Sequence, residues 1–74
     1  MTVNQLLKHM YTGHRIPERR IEGGREIWRV GPDGKSCGPA VREGLKKGYL
    51  SGHYPTGRGY ASLTDLGRDK ALSI

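Results

Sequence analysis

Val3, Leu6, Leu7 and Met10 stand at i, i+3, i+4 and i+7, the spacing that lays one apolar stripe along a helix. Thr2 and Gln5 precede and enter that stripe with the spacing of a capping box, in which each side chain bonds the other's backbone N–H. The pattern predicts a helix over 1–12 that stops near Gly13. The periodicity then breaks. "HRIPERRIEGG" is basic, and Pro17 disfavours helix at Ile16. This stretch, 13–24, reads as a basic loop or as a hairpin closed by Gly23-Gly24. In "REIWRV" the period becomes two: Arg25, Ile27 and Arg29 alternate with Trp28 and Val30. A strand over Arg25–Val30 follows, with Trp28 as the largest contributor to the core.

Pro32-Asp33-Gly34 is strong turn chemistry. Ser36 or Gly38 suits an N-cap, and Pro39 suits a first helical turn. The next helix therefore runs from Pro39 to about Lys47, with Gly48 as its stop. Val41 and Leu45 face inward, Gly44 permits close packing, and Arg42, Glu43, Lys46 and Lys47 face outward. Tyr49–Tyr54 and Tyr60–Leu63 read as two arms of a hairpin connected by Pro55–Gly59. Thr64 caps a last helix whose first turn holds Asp65. Leu63, Leu66, Ala71 and Ile74 are expected along its apolar side. The order is helix, strand, helix, strand, exposed loop, strand, helix, an α+β arrangement around a three-stranded antiparallel sheet.

Length changes the picture by limiting it. Seventy-four residues make one domain, and a domain this small has a marginal core. Apolar residues are 34% of the chain, Phe is absent and Gly occurs 12 times. A deep substrate cavity is not expected. The charge balance is more pointed: 13 Lys and Arg face 7 Asp and Glu, for a formal charge of +6. That suits a nucleic-acid partner, although a merely basic soluble protein has the same sum. Cys37 is the sole cysteine, so no intramolecular disulfide forms and a reducing, cytoplasmic setting is expected. No run approaches a membrane span of about 18 apolar residues, and no signal-peptide pattern opens the chain.

Catalytic and metal chemistry find little purchase. "GPDGKS" lacks the first Gly of a phosphate-binding loop, because Arg29 occupies that place. His9, His14, His53 and Cys37 match no zinc spacing, and nothing in the spacing supports a nucleophilic triad. No enzyme activity, cofactor or metal is expected.

Two basic features remain. Arg42 and Lys46 lie one turn apart, with Lys47 alongside and Lys35 and Ser36 at the helix entry. Such a helix face fits a major groove about 12 Å wide; an ordinary solvated face has the same composition. Arg58 stands between Gly57 and Gly59 at the expected loop tip, where an arginine can enter a minor groove or pair with phosphate. Tyr49, Tyr54 and Tyr60 read as cross-strand packing rather than base-stacking platforms.

"AVREGLKKGYLSGHYPTGRGYASLTDLGRDKAL" resembles the second half of a winged-helix DNA-binding domain of the MarR-like and PadR-like kind. Leu45, Gly48 and Leu50 match the end of its recognition helix, with a shorter Leu-to-Gly gap. Tyr60, Leu63, Thr64, Gly67 and Arg68 match the strand-to-helix motif after its wing, with one extra residue after Tyr60. The resemblance implies a small winged-helix-like domain, a recognition helix at Pro39–Lys47 and a wing at Pro55–Gly59. It implies DNA-contacting roles for Arg42, Lys46 and Arg58. The supporting helix of that family is missing here or reduced to a turn. The expected function is double-stranded DNA binding, as a transcriptional regulator and possible homodimer. The alternative is a phage-type interaction module, such as an anti-CRISPR-like inhibitor, that binds a host protein or nucleoprotein complex.

Overall fold

The computed structural model describes residues 1–31, 33–54 and 58–74. Helix α1 (Val3–Gly13) starts at the capping box: the Thr2 hydroxyl accepts the Gln5 N–H at 3.2 Å and the Gln5 side-chain carbonyl accepts the Thr2 N–H at 2.9 Å. It ends on His14, in the left-handed region at φ 51°. Strands β1 (Glu18–Glu22) and β2 (Arg25–Val30) form an antiparallel hairpin across Gly23-Gly24. Both glycines have positive φ, as a two-residue turn of the right twist requires. Then follow β3 (Lys35–Ser36), α2 (Gly38–Lys46), β4 (Leu50–His53), β5 (Gly59–Leu63) and α3 (Asp65–Leu72).

The class is α+β, but the sheet has five antiparallel strands, ordered β3-β2-β1-β5-β4. This corrects the three-stranded sheet and the element order expected from the sequence. The basic 13–24 stretch supplies β1, which lies between β2 and the β4–β5 hairpin. Lys35 and Ser36 are not the entry turn of α2. They pair with Val30 and Arg29 as an edge strand, and Cys37 is the N-cap, without a side-chain capping bond. Among the described residues no helix stands between β2 and α2; β3 and its connection occupy that stretch.

Side-chain alternation gives the sheet two unlike faces. One carries Trp28, Val30, Leu50 and Ala61, all buried with Leu6, Leu7, Met10, Ala40, Val41 and Ala71 of the helices. Trp28 is 1% exposed, as its size and position demand. The helices α1, α2 and α3 pack on this side. On the opposite face, Glu18, Arg20, Glu22, Arg25, Ile27, Arg29, Ser51, His53 and Tyr60 alternate outward, and among the described residues no helix packs over them; Ser62, on the same face, borders a recess with Met10 and Arg68. Leu66 and Ile74 do not join the core; they are 54% and 47% exposed. Gly67 and Ala71 are the buried residues of α3. Gly67 backs onto the Tyr49 carbonyl so closely that no Cβ fits, and this rotates Leu66, one residue earlier, away from the core.

Candidate nucleic-acid interface

The register fixes where the basic residues go. Glu18 is paired with Arg29 on one side and Tyr60 on the other; Arg19 pairs with Trp28 and with Gly59. Continuing that ladder puts Arg58 opposite Arg20. Arg58, Arg20, Arg29 and Glu22 indeed line a shallow cavity of about 480 Å³ on the helix-free face. Pro55 to Gly57, most of the expected wing loop, lie outside the described residues.

Ion pairs set how free each arginine is. Arg29 is held three ways: Nε to Glu22 at 3.1 Å, Nη2 to the same carboxylate at 3.3 Å, and Nη1 to the Gly34 carbonyl at 2.9 Å. Its hydrogen bond keeps the Glu22 carboxyl below its ordinary value and raises the Arg29 guanidinium in return. Arg29 is thus a fixed positive post. Arg20 is looser, 3.4 Å from Glu18 and exposed. Arg58 and Arg25 have no salt bridge among the described residues.

Beside these arginines stands an aromatic pair. His53 and Tyr60 are direct partners across β4 and β5. Their rings are parallel to within 17°, with centroids 4.8 Å apart. The His53 ring is tied to the Ser62 hydroxyl at 3.2 Å. Sequence reasoning assigned Tyr60 to packing, yet it is 42% exposed. Its outward side follows from the alternation of β5 about buried Ala61.

The helix side bears a different cluster. Glu26 accepts from Arg19 Nε at 2.7 Å and from Trp28 Nε1 at 3.1 Å. These two bonds, Arg19 first, hold the Glu26 carboxyl below its ordinary value. Arg19 also lies over the Tyr54 ring, 5.3 Å from its centroid, a cation–π arrangement. Tyr54 meets Trp28 edge-on at 6.3 Å. On α2, Arg42 lies back over Gly38, while Lys47, the C-cap, bonds Glu43 at 3.3 Å. Arg42, Lys46 and Lys47 are all exposed. Lys35 and Ser36 border a separate recess with Gln5 and His9.

The structure therefore does not gather the expected site. Arg42 and Lys46 lie on the helix side of the sheet, and Arg58 on the other. What it gathers with Arg58 are Arg20, from the stretch that reads as a loop or a hairpin, and Arg29, from the strand whose reading rests on Trp28. The hairpin alternative, carried on to its register, puts Arg20 and Arg29 on one face. Among the described residues no group of three or more His, Cys, Asp or Glu side chains comes together, and no helix is long and apolar enough to cross a membrane. Compared with family models, with curated proteins and with solved structures, the chain matches none.

Proposed function

We propose that this protein binds nucleic acid, acting on DNA as a small regulator, and that the helix-free sheet face grips the phosphate backbone. The observation that carries this is the convergence of Arg20, Arg29 and Arg58 on one shallow cavity. Guanidinium groups match phosphate geometry, and Arg29 is already oriented by Glu22 and Gly34. Four arginines on this face outweigh Glu18 and Glu22, within a chain of +6. The exposed α2 side chains Arg42 and Lys46 are a separate basic strip. On the winged-helix reading they would meet a major groove, but not while Arg58 faces the same duplex surface.

The test is an anisotropy titration of labelled oligonucleotides at about 50 to 200 mM salt. Affinity should fall steeply with salt, because phosphate contacts release counterions. Arg58→Ala and Arg20→Ala should each reduce the log–log salt slope by about 1. Arg42→Ala with Lys46→Ala should change it little. Binding that ignores salt sinks the proposal. A larger loss from the α2 pair than from Arg58 moves the interface to the helix side.

A second reading, a protein-interaction module, is favoured by α3, where Leu66 and Leu72 are 54% and 62% exposed. Stoichiometric capture of one partner after nuclease treatment, abolished by Leu66→Ser with Leu72→Ser, would support it.

A further inference from the structure

A second cleft opens on the same face, bordered by Ile16, Glu18, Arg58, Gly59 and Tyr60, with a volume of about 360 Å³. Its walls are chemically unlike. Tyr60 stacks one face of its ring on His53, and its neighbour on the other side is Glu18 of β1. Ile16, 54% exposed, supplies a second apolar wall. A flat ring entering the cleft would cover both side chains and extend the His53–Tyr60 stack by one member. Such stacking is tolerant of ring identity.

The polar groups are selective. A carboxylate only accepts hydrogen bonds. Among the described residues Glu18 has one loose partner, Arg20 at 3.4 Å, so it retains acceptor capacity for an amino group. It would repel a phosphate. Arg58, on the border of this cleft and of the arginine cavity, suits the phosphate of the same nucleotide. A base inside a duplex has both faces stacked and its pairing edge occupied, so it cannot enter.

We propose that this cleft holds one unpaired nucleobase bearing an amino donor, cytosine being the simplest, stacked on Tyr60 with Glu18 accepting its exocyclic N–H. The ligand is then an unpaired strand, DNA or RNA. This rests on the nucleic-acid reading above and assigns the substrate class of that site.

The experiment uses labelled deoxycytidine, ribocytidine and deoxythymidine oligomers of about twelve nucleotides, and a mixed-sequence duplex, at low and high salt. The full chain should bind the cytidine oligomer about tenfold more tightly than the thymidine oligomer. Tyr60→Leu, an exposed change that keeps the strand, should cost single strands about tenfold and leave duplex binding unaltered. Glu18→Gln should erase the cytidine preference without lowering thymidine affinity. Tighter binding of the deoxy or the ribo strand names DNA or RNA as the source; either supports the cleft, and a ribo preference moves the reading above from DNA to RNA. Salt-dependent binding with equal duplex and single-strand affinity, insensitive to Tyr60→Leu, overturns it while leaving the backbone reading intact. Absence of salt-dependent binding to every oligomer overturns both. Circular dichroism and thermal melts of both variants check that each is folded.

Discussion

Cys37 sits where β2 hands over to α2. Its N–H donates to the Trp28 carbonyl at 2.9 Å and its carbonyl accepts the Val41 N–H at 2.9 Å. The side chain is 1% exposed, and burial pushes the thiol up to about 11 from an ordinary 9.0. A thiol in that state is a weak nucleophile. We expect thiol-reactive probes to label it at neutral pH only through opening of the domain, at a rate that rises with denaturant; fast labelling of the native protein would contradict this. The same burial has a pH consequence. Unfolded thiol ionises near 9 and native thiol near 11, so the thiol's contribution to stability is complete below pH 9 and is lost as pH rises toward 11. The stability difference between wild type and Cys37→Ala should shift in the variant's favour across that window, by roughly 2 kcal/mol. Urea melts at pH 8 and pH 11 measure it.

At the scale of the element, α3 shows how local signals and packing divide the work. Thr64 does what its position predicts: its hydroxyl accepts the Gly67 N–H at 3.1 Å, and it also donates to the Gly48 carbonyl at 2.6 Å. The cap was legible because capping is local. The inward face was not, because it depends on the Tyr49 carbonyl, which only the fold brings against Gly67. Gly67→Ala should lower stability by about 3 kcal/mol despite the better helix propensity of Ala, whereas Arg68→Ala, exposed on the same helix, should change it little. Thermal melts of the two variants separate packing from propensity; equal melts would contradict the placement of Gly67. Strand β1 is legible in the sequence only as the hairpin alternative to a loop, for a related reason. "ERRIE" has Arg19 on the helix side, kept there by Glu26 and the Tyr54 ring rather than by apolar burial, so no hydrophobic alternation betrays it. Strand β3 is two residues long and exists only through its pairing with Arg29 and Val30.

The whole molecule is elongated, 37 × 22 × 18 Å, with three helices on one side of the sheet and charge on both. Arg58 stood out in the sequence by its flanking glycines, as did Arg42 and Lys46 by helical spacing. Their separation by the sheet was invisible until β1 was placed, since β1 sets which way Arg58 and Tyr60 are partnered.

That placement also governs the order in which the protein can assemble. The sheet is a β1–β2–β3 meander and the β4–β5 hairpin joined along one seam, where Glu18 meets Tyr60, Arg19 meets Gly59, and the Pro17 carbonyl accepts the Ala61 N–H at 3.1 Å. Each hairpin is a local structure of the kind that closes in about 1–10 μs; the seam joins distant parts of the chain and must close more slowly. During refolding, pulsed hydrogen exchange should find β1–β2 amides protected before that of Ala61, and simultaneous protection would contradict this order. On the ribosome, β1 emerges long before its partner β5. Because the cleft takes Ile16 and Glu18 from one bank of the seam and Arg58, Gly59 and Tyr60 from the other, no nascent chain can present it until Tyr60 has left the ribosome.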